Sequence, residues 1–175
     1  MRRALLIVLL ICLSALFFAS CGGSDRYDLT EETFFYGMTT MQMYPEEYVG
    51  KAISFDCFTY RLTDVDGSSY LCGVRKCSSG YGCNCGKDTI IGFILDYEGA
   101  IPEPKNQSED TSDKAWIHVE GTIASAEKEE IRIPSYDTAG VPNPNAPETV
   151  VFYHFAVSSL SEITDGSHLA YYVSK

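Results

Sequence analysis

The apolar and polar positions divide the chain into three regimes. Residues 4–18 are uncharged and apolar but for Ser14, 15 positions behind Met1-Arg2-Arg3. Next comes a helical spacing. Phe34, Met38 and Met41 recur at i, i+4 and i+7, which places them on one face of a three-turn helix. Asp28, with Glu31 three residues later, reads as the N-cap of that helix, and a Phe and Met stripe of this kind covers a sheet. Pro45 ends it and starts a second short turn over 45–48. From Lys51 the period becomes two. Ile53, Phe55, Cys57 and Thr59 alternate with Ser54, Asp56, Phe58 and Tyr60, a strand buried on one face and partly covered on the other. Asp66-Gly67 predicts a hairpin turn into a second strand over 70–74. Residues 89–95, 115–124 and 150–157 predict three more strands, with a short hairpin arm around Ile131 and Ile133. Residues 98–114 and the proline-rich 137–149 read as long exposed loops. Five main strands after one helix predict a mainly β domain, a small Greek-key barrel.

The first regime has signal-peptide architecture: a short basic start, then an apolar run too short for a span of about 20 residues. Phe18-Ala19-Ser20-Cys21 resembles the lipobox of bacterial lipoproteins, in which the cysteine becomes the lipidated first residue. The resemblance implies lipid attachment at Cys21, whose acyl chains anchor stably where one chain would not. Gly22-Gly23-Ser24-Asp25 then reads as a flexible tether. The expected organisation is a lipoprotein signal peptide over 1–20, a lipidated N-terminus and tether over 21–29, and one domain over 30–175. The expected location is extracytoplasmic, lipid-anchored to the bacterial cell membrane.

Charge sharpens the picture. Of the 13 Lys and Arg, two lie in the first 20 residues, whereas all 24 Asp and Glu lie beyond them. Without its signal peptide the chain has 24 acids against 11 bases, a net charge of −13. Nucleic-acid binding needs cations to neutralise phosphates, so DNA and RNA are excluded as partners. Docking on anionic headgroups through a polybasic patch is disfavoured on the same ground.

Two segments carry a family resemblance. Tyr44-Pro-Glu-Glu-Tyr-Val-Gly-Lys51, ahead of the first strand, and Trp116-Ile-His-Val-Glu-Gly-Thr-Ile123 in the fourth resemble segments of OB-fold domains. Those domains occur in the YcgQ-like permease-subunit family and related bacterial lipoproteins. The likeness follows the order of elements over roughly residues 30–165. It implies that the five-stranded barrel is OB-like, and members of that family belong to membrane-associated systems. Locally, Gly50 lets the chain turn into the first strand, and Gly121 permits the tight bend of a small barrel. Trp116 is then a core or barrel-end aromatic. The chain departs from that family in having no second membrane-spanning segment and in spreading its cysteines.

Cysteines are the one unusual chemical feature. Cys72, Cys77, Cys83 and Cys85 follow C-x4-C-x5-C-x-C, and Cys57 makes five in the exported domain. Three readings stand side by side. Structural disulfides suit an oxidising compartment. Four thiolates from a glycine-bearing loop suit zinc, although no C-x2-C knuckle occurs. Cys83-Asn84-Cys85, with Lys87 nearby, suits a strained redox pair. Asp64-x-Asp66-Gly67 opens like a calcium loop but lacks the later ligands, and reads as a hairpin turn. His118 and His154 fall on strands that a barrel would bring near one another, and read as ordinary half-exposed histidines. Glu127, Glu129 and Glu130 read as a solvated face.

No G-x-S-x-G, H-E-x-x-H, P-loop or G-x-G-x-x-G motif appears. The expectation is therefore a non-enzymatic, membrane-anchored module with no required cofactor, binding an envelope protein, a transporter or a small ligand. Alternatives are a zinc-type accessory lipoprotein using the 72–85 loop and a thiol-disulfide redox protein.

Overall fold

The computed structural model describes residues 26–77, 89–109, 111–136 and 142–173. Strand β1 (Arg26–Leu29) leads into helix α1 (Phe34–Met43) and a 3-10 turn over Pro45–Glu47. Strands β2 (Ala52–Thr63), β3 (Ser69–Cys77), β4 (Thr89–Asp96), β5 (Trp116–Ile123), β6 (Glu129–Tyr136), β7 (Pro142–Phe152), β8 (His154–Glu162) and β9 (Tyr172–Val173) follow. The protein is mainly β, as its period-two patterning predicts.

The sheet differs from the expected five-stranded barrel. It has seven strands in the order β1-β2-β5-β8-β4-β3-β9, while β6 and β7 form a separate pair. Strand β2 also pairs β3, so the pairings β2-β5-β8-β4-β3 return to β2. All are antiparallel except β4–β8. Edge strands β1 and β9 add in parallel to β2 and β3.

Three local expectations change. The tether does not reach Leu29, because residues 26–29 pair with Ala52–Phe55 as β1. Asp28 therefore sits in a strand, accepting a hydrogen bond from Ser54 Oγ and pairing with Arg26 at 2.7 Å. The α1 N-cap is Thr33 instead, whose hydroxyl accepts the Thr30 N–H at 2.9 Å. The proline-rich stretch is largely strand β7. Pro144 and Pro147 fall between Asn143 and Glu148, where the β6–β7 register shifts, so their missing N–H groups interrupt little of the ladder. Residues 150–157 are two strands, not one. The chain changes sheets at Tyr153, whose carbonyl accepts Ile94 N–H at 3.0 Å. The alternation runs on through the corner and hides it.

Two apolar clusters lie on opposite faces of the sheet. Ile53, Phe55 and Cys57 of β2 join the first, and Phe58 and Leu62 the second. Phe34, Met38 and Met41 of α1 are buried in the first, as their spacing predicts. Phe55 sits at its centre, with ring centroids 6.0 Å from Phe34, 6.0 Å from Phe93 and 5.3 Å from Phe155. The second cluster is roofed by the β6–β7 arm through Ile131 and Phe152 and by Leu169.

The Asp64–Asp66 segment makes the hairpin turn expected of it, with Gly67 at φ 94° and its N–H on Asp64 O at 2.9 Å. Asp64 also ties the arm to this hairpin. Its carboxylate accepts Arg132 N–H at 2.8 Å, Asp66 N–H at 3.0 Å and the Arg132 guanidinium at 3.2 Å. The Arg132 and Asp66 amides, and then the guanidinium, hold its pKa below the ordinary carboxylate value. A lowered folded-state pKa contributes stability above the unfolded pKa of about 4 and loses it as pH falls through the folded value. Asp64→Asn is therefore expected to be less stable than the parent at pH 7 and to converge with it in acid. Urea midpoints between pH 7 and pH 2 measure this, and a gap unchanged across that range contradicts the assignment.

Candidate functional site

A cleft of about 570 Å³ opens between α1, the start of β4 and the end of β7. Helix α1 lines it with the mixed side that its buried stripe leaves free. Phe34, Met38 and Met41 face the core, which leaves Phe35, Tyr36, Thr39 and Gln42 toward the cleft. Gln42 is fixed by donating its side-chain N–H to Gly92 O at 2.7 Å. Ile91 and Val150 supply the opposite walls, and Glu148 is a carboxylate among the lining residues. The volume suits a small molecule, and the mostly apolar lining with a few polar groups suits one that is largely apolar.

Among the described cysteines, Cys57 and Cys77 belong to one buried cluster and Cys72 to the other. Cys57 and Cys72 are unbridged buried thiols in clusters on opposite faces of the sheet. Burial pushes the Cys57 thiol up strongly and the Cys72 thiol up to about 12, so both disfavour the thiolate that binds metal or attacks a disulfide. A disulfide joining Cys57 to Cys72 is absent, and the two thiols share no metal site. Cys77 is buried at the end of β3 and lines the cleft. Cys21, Cys83 and Cys85 lie outside the described residues. Among the described residues, no group of three or more His, Cys, Asp and Glu could hold a metal ion.

The two strand histidines each have a separate carboxylate. His118 Nδ1 lies 2.6 Å from Asp56 and His154 Nδ1 3.0 Å from Asp96. The Nε2 atoms stand 3.7 Å from Glu120 and Glu129 respectively. Glu129 is thus more than a solvated face, since it also accepts the Tyr70 hydroxyl at 2.8 Å. Trp116 is buried as expected and donates its indole N–H to Ser112 O at 2.8 Å.

Sequence reasoning missed the cleft and the buried Arg75. The cleft has walls from three distant segments, and only the uncharged α1 hints at it. Arg75 lies among residues that otherwise read as an ordinary strand.

Comparison with known proteins supports the YcgQ-like family of that resemblance. Similarity to the UPF0703 protein YcgQ of Bacillus subtilis (strain 168) is 29% identity over 111 residues, 62% of this chain and 34% of that protein. The chain thus spans about a third of the relative's length. No solved structure matches. No described helix is long and apolar enough to cross a membrane. Residues 17–154, most of the sequence, match the family of the DUF1980 C-terminal domain, and the chain belongs to that family.

Proposed function

We propose that the protein is an extracytoplasmic lipoprotein anchored through Cys21, whose OB-like body is a non-enzymatic binding module. The cleft between α1, β4 and β7 carries the binding reading: it is large enough for a small ligand and mostly apolar. The OB-like reading is supported by the cyclic order β2-β5-β8-β4-β3 with its one parallel pairing, β4–β8, which suits a five-strand Greek-key barrel to which β1, β9 and the arm are additions. The anchoring reading is supported by the basic start, the apolar run over 4–18 and the small residues before Cys21. The net charge of −13 after residue 20 favours neutral or cationic ligands and basic partner surfaces.

A thermal-unfolding panel of small apolar and cationic compounds tests the binding step. A ligand at 100 times its Kd adds about 2.7 kcal/mol, and a cleft-filling Thr39→Trp should abolish its shift. A panel without a shift, together with no envelope protein retained from solubilised membranes, would overturn the reading. Palmitate incorporation tests the anchor separately and should disappear in Cys21→Ala.

A further inference from the structure

We propose that the end of the domain where the chain enters at Arg26 rests on the lipid surface of the anchoring membrane through Met43, Tyr44 and Val49. This inference rests on lipidation at Cys21 and adds to it an orientation of the domain.

The topology fixes which residues share that end. Four residues of β1 carry the chain about 13 Å from its entry point. The ten residues of α1 bring it back by about 15 Å, because the 3-10 turn after α1 must deliver Ala52 beside Arg26. Tyr27 and Tyr48 confirm the return, with ring centroids 5.2 Å apart, and Lys51 Nζ sits over both rings. Met43 and Tyr44, at the foot of α1, are therefore level with Arg26.

These side chains are unusually bare for their type. Met43 is 62% exposed, Tyr44 47% and Val49 41%. They account for three of the six exposed large hydrophobics among the described residues, within seven positions of one another. From Thr33 to Pro45 no residue is charged, in a chain with 24 acids.

Chain length says what covers this surface. Cys21 and Arg26 are five residue steps apart, a fully extended reach of about 17 Å. A diacylated Cys21 therefore holds this end next to the bilayer. Tethering raises the local concentration of lipid, so a patch too small to bind from solution makes a lasting contact. Tyrosine suits the headgroup level, with an apolar ring and a polar hydroxyl. Glu46 and Glu47 are exposed in the same segment and keep the contact shallow.

The test uses the full lipidated chain in phosphatidylcholine–phosphatidylethanolamine liposomes, comparing Tyr44→Trp with Val65→Trp. Val65 is exposed in the turn at the far end of β2, and the native Trp116 is buried, which keeps its background low. Iodide quenching of the introduced indole is expected to be at least threefold weaker at position 44 than at 65. In detergent-free buffer after proteolytic release at the tether, the two should quench equally. Adding Met43→Glu and Val49→Glu should restore quenching at 44 in liposomes. Palmitate-labelled protein whose two indoles quench equally in liposomes overturns the orientation while leaving the anchor intact. Absence of label overturns the anchor and the orientation together.

Discussion

Arg75→Ala is expected to lower the unfolding free energy by about 3–5 kcal/mol, the range for breaking a buried ion pair. The side chain is 1% exposed and joins three parts of the chain. Its guanidinium donates to Glu31 at 2.7 Å, to Asp56 O at 3.2 Å and to Ala170 O. It also lies between two rings, 5.2 Å from Phe34 and 5.0 Å from Trp116. Alanine leaves two carbonyls without this donor and opens a void between the rings, and the two costs add. For a domain of this size the melting temperature should fall by about 8 °C or more. Glu31→Gln removes the counter-charge while preserving shape, and Glu31 is partly exposed, so its cost should be smaller, about 1–2 kcal/mol. Arg75→Lys should resemble alanine more than the parent, since an ammonium cannot reproduce the planar fork. Urea unfolding of the three variants decides the matter. A cost for Arg75→Ala below that for Glu31→Gln would show that the rings and the C-terminal segment do not depend on this residue.

Gly121→Ala is the second large effect, about 3 kcal/mol, near the upper end for overpacking. A methyl group there would lie 2.2 Å from Ala156 O and 2.8 Å from Phe155 Cε1. The carbonyl belongs to the β8 backbone, so neither a rotamer change nor a flexible side chain relieves the contact. The register of β5 and β8 shifts between Glu120 and Gly121, and strand separation at this bulge would break the ladder on both sides. Gly67→Ala is the control of opposite kind. Nothing lies within 4 Å of its added methyl, and φ is 94°, so only backbone strain of about 1 kcal/mol is expected. Equal losses for the two glycines would contradict the close-approach account.

These residues also show where local pattern ends. The stripe of Phe34, Met38 and Met41 was legible because helical periodicity is a property of a short segment. Gly121 was expected to bend the strand, and the structure places a register shift and a close backbone approach there. Asp28 misleads because Asp-x-x-Glu satisfies a helix start on paper, while pairing with Ser54 and Ala52-to-Phe55 backbone wins in the fold. The continuous alternation over 150–157 conceals a corner, because a strand that changes sheets keeps its period. In the sequence, Cys57 counts with Cys72 as one of five exported cysteines open to pairing or metal binding. Their odd separation along a β-hairpin sends them to opposite faces. Arg75 leaves no local trace, since its partners lie at positions 31, 56 and 170.

That last junction has a consequence in time. Glu31 Oε2 accepts the Ala170 N–H at 3.3 Å across 139 positions, and Arg75 bonds both residues. A chain emerging from its N-terminus, whether from a ribosome or across a membrane, cannot make this closure until residue 170 has appeared. Contacts of such long sequence separation also slow folding. Until residue 170 appears, the Glu31–Arg75 pair lacks its last partner, and truncation before that residue would remove the closing contact while sparing β1 to β8.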